Sequence, residues 1–199
     1  MNIEIKRQLV HASGIFLIVL ISFFGRAVTF LVIVATLFVL TSWALYRINK
    51  SIIKQFFRSK FIEKIDMLVE SEISNYERSE EFPFKGAIHF YTGSLIALVL
   101  FNPIIAAAAI AVLAIADSIS TLVGRGFGKH KLPINKKKSF EGSFAFAAAT
   151  FIVLLFFISP AKALVITLIT TFVEALPRID DNLTIPFSVG AVIYLLKFL

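Results

Sequence analysis

The sequence predicts an all-α fold, a polytopic bundle of about seven transmembrane helices whose N-terminus lies in the cytoplasm. Three observations lead to this prediction. In composition, 58% of the 199 residues are hydrophobic and 17% are charged, whereas soluble domains carry roughly 45–50% apolar and about 25% charged residues. Apolar stretches recur that are long enough to cross ~30 Å of hydrocarbon as helices. Finally, Lys and Arg are unevenly distributed among the segments that connect these stretches.

The apolar stretches divide the chain into seven predicted spans within one integral membrane domain, residues 1–199. The spans are residues 9–24, 27–46, 86–101, 104–123, 140–158, 161–176 and 185–199. The first follows Lys6 and Arg7 as a signal peptide would, but no small-residue cleavage site precedes the second stretch, so we expect it to be retained. Residues 47–84 carry apolar positions at helical spacing and predict a cytoplasmic amphipathic segment, either on an anionic membrane surface or as a solvated linker.

The positive residues define the orientation of the spans. A cytoplasmic N-terminus places 17 of the 20 Lys and Arg residues in inside segments and leaves Arg26, Lys162 and Lys197 outside. Because positive flanks are retained on the cytoplasmic side, this orientation is the predicted one. The formal net charge of +7 is then explained by the membrane, and we expect no nucleic-acid partner. The chain has no Cys, so any metal must have oxygen or imidazole ligands, which favours ions such as Mg²⁺.

Acidic residues inside the predicted spans indicate an active site. A carboxylate near the centre of a span costs about 2.5–3.5 kcal/mol on insertion scales, so it persists where a cavity, a cation or a partner uses it. Asp117 is such a residue, and Ser120, Thr121 and Gly124 follow it on one helical face. Glu174 ends the sixth span after a row of threonines. The neighbouring span ends and the loop after the sixth span add Ser139, Glu141, Gly142, Asp180, Asp181 and Asn182.

A glycine-spaced basic loop follows the fourth span. It contains Gly124, Arg125, Gly128, Lys129 and, further along, Lys138. Glycines let the backbone approach a ligand closely, and Arg and Lys neutralise phosphate oxygens. The N-terminus of the fifth span adds unpaired amides and a positive dipole end. Bases for phosphates beside acids for a divalent cation predict a nucleotide site, although the lysines alone also fit a positive-inside anchor, and Asp117 alone an ion pair.

Three histidines complete the set of polar residues near the predicted spans. His11, four residues after Arg7, is a candidate ligand, proton acceptor or interfacial hydrogen-bonding group. With Arg7 and Asp180 it forms the accessory part of the predicted site. His89 is expected to pack or to bond between helices, and His130 to lie in the basic loop.

At these residues the sequence resembles the CTP-dependent lipid kinase family that includes dolichol kinase, phytol kinase and the CTP-dependent diacylglycerol kinases. The matching blocks, in chain order, are Lys6-Arg7 with His11, Ala116-Asp117 to Lys129, Lys131-Leu132-Pro133 to Ser143, and Glu174 to Pro186. Ala116 stands where a Gly is common, and Gly126 where a second basic residue is frequent. The middle block is also similar to the CTP-dependent phosphatidate cytidylyltransferases, whose closing His-Gly-Gly and Asp-Arg signature is absent here.

The resemblance implies that CTP with Mg²⁺ donates its terminal phosphoryl group to the hydroxyl of a membrane lipid alcohol at the cytoplasmic face. It implies catalytic or metal-binding roles for Asp117, Glu174 and Asp181. It implies nucleotide or phosphate contacts for Gly124, Arg125, Gly128, Lys129, Lys138, Ser139, Glu141, Gly142 and Asn182. Polyprenol, dolichol, phytol-like alcohols and diacylglycerol all fit as acceptors, and no particular oligomeric state is predicted.

Two other functions compete with the kinase. One is CDP-lipid synthesis by a CTP-dependent phosphatidate cytidylyltransferase, and the other is transport of anionic metabolites with the basic loop as a gate. A transporter needs polar residues that continue into the outer halves of its spans. Beyond Asp117 and Thr167 those halves consist of Ala, Ile, Leu and Phe, which favours an enzyme that opens to the cytoplasm and to lipid.

Overall fold

The computed structural model describes residue 11 and residues 14–49, 84–176 and 180–197, and these residues form a helical bundle. Its helices are α1 Ile15–Ile48, α2 Lys85–Leu100, α3 Pro103–Ala111, α4 Ser118–Gly126, α5 Phe140–Leu154, α6 Pro160–Ala175 and α7 Asp181–Leu195, with a π-helical segment Val112–Asp117 between α3 and α4. The described ranges contain no β-strand, which confirms the all-α class. Arg7 and residues 50–83 of the predicted amphipathic segment lie outside them.

Two of the helices are long and apolar enough to cross a membrane. They are Ile15–Ile48 and the continuous helix Pro103–Gly126, and Lys85–Leu100 and Phe140–Leu154 are shorter apolar helices. Large apolar side chains cover the outside of the bundle, where Phe23, Phe144 and Phe156 are 80%, 77% and 83% exposed. Such a surface suits lipid better than water. Seven spans and a cytoplasmic N-terminus stay a prediction.

Gly25 interrupts α1 at the boundary between the first two predicted spans. Its backbone has φ 77° and ψ 179°, a conformation that L side chains rarely adopt. The next residue, Arg26, reaches the end of α2 and donates to the carbonyl oxygens of Leu98, Val99 and Phe101, with Nη2 2.8 Å from the Val99 oxygen. The last carbonyls of a helix carry partial negative charge, so Arg26 fastens the end of α2 to the break in α1.

The helix formed by α3, the π segment and α4 runs through the centre of the bundle. Ala106, Ala108 and Ala109 are fully buried in α3, and small side chains of this kind let neighbouring helices approach closely. The helix contacts α1, α2, α5 and α7. The π segment ends at Asp117. Its wider turn adds a residue to the helix, a device found frequently at functional sites.

Two helix ends differ from the sequence-based expectation. α7 begins at Asp181 and not at residue 185, so the prediction that Asp181 and Asn182 lie in a loop is wrong. The Asp180 side chain caps α7 by accepting from the Asn182 amide at 3.0 Å, and Asp181 places a negative charge in the first turn, where the helix dipole favours it. α4 likewise includes Gly124 and Arg125, which were expected in the basic loop.

The segment between α4 and α5 folds into a short hairpin. The Leu132 amide donates to the Lys138 carbonyl at 3.1 Å, and the Phe140 amide donates to the His130 carbonyl at 2.9 Å. Leu132 and Asn135 are buried, so the turn packs onto the bundle. The hairpin therefore holds Lys138 in a defined position at the entry to α5.

Gly93 in α2 lies directly against the start of α7, and a Cβ at this position would overlap the Asn182 carbonyl oxygen. We expect Gly93→Ala to push the two helices apart and to lower the free energy of unfolding by about 1–3 kcal/mol, the usual cost of overpacking. Gly126→Ala is the matched control, since nothing lies within 4 Å of the Cβ that it adds. Thermal unfolding in detergent micelles compares the variants, and an unchanged midpoint for Gly93→Ala would contradict this packing.

Candidate active site

A buried ion cluster lies where α4, α5 and α6 meet the hairpin. Its centre is Glu174, which is 1% exposed. One carboxylate oxygen, Oε1, accepts from Lys138 Nζ at 2.5 Å and from Ser120 Oγ at 3.2 Å. The other, Oε2, accepts from Ser143 Oγ at 3.0 Å. Because these donors belong to α4, α5 and the hairpin, Glu174 joins three elements to α6 and has donors on both oxygens.

Lys138 extends the cluster to α7. Its Nζ lies 2.7 Å from Asp181 Oδ2, and its side chain is 19% exposed. Burial lowers the pKa of Lys138, but the carboxylates of Asp181 and Glu174 outweigh burial, so the pKa is raised and the ammonium stays charged. Two of the three ammonium protons thus face protein carboxylates. The predicted phosphate contact of Lys138 is therefore confined to the remaining one.

Asp117, at the end of the π segment, is 8% exposed. It lies close enough to Lys138, Glu174 and Asp181 to interact electrostatically with each of them. No residue in the described ranges donates a hydrogen bond to its carboxylate or forms an ion pair with it. Because a buried charge is costly unless it is paired, Asp117 is the acid of this cluster with the greatest capacity for a ligand.

The predicted glycines bring backbones together. A Cβ on Gly142 would lie 3.1 Å from the Gly124 Cα, and a Cβ on Gly128 would overlap the Gly124 carbonyl and the Ser139 side chain. Ser139 caps α5, with Oγ accepting from the Gly142 amide at 3.2 Å. That bond uses one of the amides expected to hold phosphate. Packing thus accounts for these four residues, and their phosphate contacts stay predictions.

The remaining predicted nucleotide contacts lie outside the ion cluster. Arg125 and Lys129 are exposed. Glu141, in the first turn of α5, accepts from the His130 amide at 3.2 Å, and its Oε1 lies 2.7 Å from His130 Nδ1. These contacts fix the base of the hairpin, so the structure pairs Glu141 with His130 and not with the ammonium of Lys138.

Two histidines pack at the start of the bundle. His11 is 7% exposed, and its ring lies 5.0 Å from the ring of Phe90 in α2. His89 makes the interhelical contact that was one of its two expected roles, since its Nδ1 lies 2.8 Å from Asp180 Oδ2. The ring N–H does not point straight at that oxygen, so the contact is a close polar pair and not a linear hydrogen bond.

Asp180 is held by several partners. Its Oδ1 accepts from the backbone amide and the side-chain amide of Asn182, at 3.0 and 2.9 Å. Burial raises the pKa of Asp180, but the contacts with His89 and Asn182 outweigh burial, so the pKa is lowered and the carboxylate stays charged. Asp180 was predicted to have an accessory role, and His89 was predicted to lie outside the site. A lone His within an apolar span was the signal that could have included it.

Buried hydroxyls extend from the ion cluster into the bundle. Four of them have no hydrogen-bond partner in the described part of the chain, namely Ser94, Thr150, Thr167 and Thr171. Thr150 lies two turns beyond Ser143 in α5, and Thr167 lies two turns before Glu174 in α6. Because Ser143 and Glu174 are in contact, both threonines lie at one depth, about 10 Å inward from the cluster. Thr167 was noted in the sequence, whereas Thr150 was missed among apolar neighbours.

The acids partly fit a divalent cation. Mg²⁺ is usually held by one or two carboxylates together with substrate phosphates. Asp117 and Asp181 suit that role, since Asp117 has no donor in the described ranges and Asp181 pairs with Lys138 through Oδ2. Glu174 suits it poorly, because both of its oxygens already accept hydrogen bonds. The described residues include no group of three or more His, Cys, Asp or Glu side chains placed to hold a metal by themselves.

Several proteins that are named as kinases of lipid alcohols are similar in sequence to parts of this chain. A probable chloroplastic phytol kinase 3 of Glycine max is 35% identical over 132 residues, which cover 55% of this chain and 41% of the relative. The chloroplastic farnesol kinase of Arabidopsis thaliana is 40% identical over 101 residues, covering 42% and 33%. A dolichol kinase of Schizosaccharomyces pombe is 36% identical over 78 residues, covering 35% and 15%. The chain thus spans less than half the length of these three curated relatives.

No family model matches the sequence, and no solved structure is significantly similar to it. The relatives are named as kinases of three different lipid alcohols, and the helices of this chain are apolar enough for a membrane protein. The family resemblance predicted from the sequence blocks is confirmed to this extent, that proteins named phytol kinase, farnesol kinase and dolichol kinase are 35% to 40% identical to parts of this chain.

Proposed function

We propose that the chain is a CTP-dependent kinase that transfers the terminal phosphoryl group of CTP to the hydroxyl of a membrane lipid alcohol. The names of its relatives support both the reaction and the class of acceptor. CTP as the donor rests on the resemblance of the blocks around Asp117, Lys138 and Asp181 to CTP-dependent enzymes. The reaction takes place at the cytoplasmic face, the side on which the distribution of Lys and Arg predicts this end of the bundle to lie.

The contrast between Asp117 and Glu174 is the observation that carries the proposal. Glu174 is held by three donors, whereas no described residue donates to the carboxylate of Asp117. Two acids of one site in different environments take different roles. Glu174 organises the site, and Asp117, one turn further into the bundle than Ser120, accepts the proton of a hydroxyl that arrives from the bilayer.

In this reaction the acceptor oxygen bonds to the terminal phosphorus of CTP, the bond from that phosphorus to the bridging oxygen breaks, CDP leaves, and the hydroxyl proton passes to Asp117. Phosphoryl transfer needs positioning and charge neutralisation more than covalent chemistry. The exposed Arg125 and Lys129 and the third proton of Lys138 supply positive charge for the phosphates. Mg²⁺, held by Asp181 and Asp117 with phosphate oxygens, would neutralise further charge.

The two competing functions make different demands on the same residues. A cytidylyltransferase would release pyrophosphate from CTP, and the similarity of the middle block keeps it as the second candidate. A transporter needs a polar path through the bundle. Beyond the depth of Thr150 and Thr167 the path meets the apolar outer halves of α5 and α6, and the interior of α3 is buried alanine and isoleucine.

Purified protein supplied with Mg²⁺, a panel of lipid alcohols together with phosphatidate, and CTP or ATP labelled at the terminal phosphate tests the reaction directly. We expect label from CTP to appear in the lipid, since the donor phosphoryl group is transferred. Label released as pyrophosphate would indicate the cytidylyltransferase. Label in no product, together with anion flux into sealed vesicles, would indicate the transporter.

Asp117→Asn removes the proposed proton acceptor while it preserves the shape of the side chain. We expect turnover to fall by at least about 100-fold, within the range that general bases contribute. The thermal unfolding midpoint should stay constant or rise, because a buried charge without a described donor is removed. Thr36→Val is the control, since the Thr36 hydroxyl donates to the Val32 carbonyl of its own helix α1 and to no other described residue. Turnover like that of wild type in Asp117→Asn would end the proposal for this residue.

Lys138→Met removes the cation that Glu174 and Asp181 share, whereas Glu174→Gln removes one carboxylate and leaves Lys138 paired with Asp181. We expect Lys138→Met to lower the free energy of unfolding by about 3–5 kcal/mol, the cost of breaking a buried pair, and Glu174→Gln to lower it by less. The double variant should recover part of that loss, because the two residues interact with each other. Unfolding midpoints of the four proteins measure this coupling, and strictly additive losses would show that the pair does not act as a unit.

A further inference from the structure

His89 in α2 and Asp180 at the start of α7 form a polar contact that the proposed reaction does not use. His89 Nδ1 lies 2.8 Å from Asp180 Oδ2, and the two side chains are 28% and 33% exposed. Neither residue contacts Lys138 or Glu174 in the described part of the chain. The pair nevertheless lies beside the ion cluster, because Asp181 follows Asp180 directly and pairs with Lys138.

Asp180 connects α2 to the first turn of α7. Through Oδ1 it accepts from both amides of Asn182, and through Oδ2 it meets His89. The backbone on either side of Asp181 is therefore fixed by one carboxylate. A change in the position of Asp180 moves Asp181, and with it one of the two carboxylates that hold the Lys138 ammonium.

Gly93 shows that the same face of α2 sets the position of α7. It lies four residues after His89, hence on the same side of the helix, and it packs directly beneath the Asn182 carbonyl oxygen. Gly93 fixes how closely α7 approaches α2, and His89 fixes the direction of the cap. Together they define how far the first turn of α7 lies from α2 and how it is rotated about its own axis.

We propose that His89 is a positioning residue of the active site, which holds Asp180 so that Asp181 meets Lys138. The proposal rests on the kinase function of the same site. His89 acts through Nδ1 on a carboxylate that does not itself contact the reacting groups. The proposal therefore requires a polar group at position 89, and it does not require the imidazole to act as an acid or a base.

Three variants separate this role from its alternatives. His89→Asn keeps an N–H donor close to the position of Nδ1, His89→Gln places its amide near Nε2, and His89→Leu removes the polar group. Thr92→Val is the control, because Thr92 lies one turn away in α2 and its hydroxyl, within the described ranges, donates to the Ile88 carbonyl alone. We expect kcat to fall roughly 10- to 100-fold in His89→Leu and His89→Gln, as for other residues that orient a ligand. His89→Asn and Thr92→Val should stay close to wild type.

Chemical modification of Lys138 gives a readout that needs no substrate. An amine-reactive reagent followed by mass spectrometry compares Lys138 with the exposed Lys136 and Lys137 of the same hairpin. We expect Lys138 to be protected in wild type and His89→Asn and several-fold more reactive in His89→Leu. If His89→Leu does not fold, His89→Gln serves the same comparison.

The possible outcomes are distinct. Loss of activity in His89→Asn equal to that in His89→Leu would overturn the proposal and indicate proton transfer by the imidazole. Wild-type activity and Lys138 protection in His89→Leu would overturn it in favour of simple packing. Wild-type protein that labels no lipid would refute the kinase function alone, since the reactivity of Lys138 still tests the positioning of Asp181.

Discussion

The ammonium of Lys138, held between Glu174 and Asp181, is the interaction on which the rest of the structure depends. A carboxylate as buried as Glu174 is tolerated in an apolar bundle only when a cation and hydrogen-bond donors compensate the loss of water. Lys138 supplies that charge from a hairpin outside the helices, and Ser120 and Ser143 supply the donors. The cluster therefore gathers α4, α5, α6 and α7 at one end of the bundle. The small residues of α3 and the glycines of α2 and α4 permit this approach, but they do not by themselves select it.

Among its described residues, the cluster has more carboxylates than cations. In the part of the chain that the structure describes, Glu174, Asp181 and Asp117 bring three carboxylates, and Lys138 brings one ammonium. The carboxylate of Asp180 lies close enough to add to the negative charge that acts on Asp117 and Asp181. A pocket with excess negative charge repels the phosphates of a nucleotide unless a cation comes with them. A divalent cation bound with the nucleotide would resolve this repulsion, which is why the proposed donor is a metal-nucleotide complex and not a free anion.

Much of this site could be predicted from the sequence because the physics of the membrane is restrictive. A carboxylate within a span is costly, so Asp117 and Glu174 could be recognised from the sequence as candidate functional residues. The helical period placed Ser120 on the same face as Asp117, and Ser120 contacts Glu174 in the structure. The sequence-based predictions that were wrong or incomplete concern features that depend on local geometry. The cap by Asp180 lets α7 begin early and turns Asp181 from a loop residue into a helix residue. The π segment before Asp117 has no sequence signature. His89 was expected to pack or to bond between helices, and the interhelical contact is present, but its partner Asp180 lies too far away in the chain to be identified from the sequence.

The division of roles between the acids follows from their surroundings. A carboxylate that already accepts from a lysine and two hydroxyls gains little by accepting a proton or a metal, since either would displace a bond already made. Glu174 is in that position, and its value to the protein is the geometry it imposes. Asp117 gains from any ligand that brings a proton or positive charge, because it is buried and no described residue donates a hydrogen bond to its carboxylate. The same cluster that stabilises the bundle through Glu174 thus leaves Asp117 beside it without a hydrogen-bond donor among the described residues, and a ligand that compensates the burial of Asp117 gains binding energy from doing so.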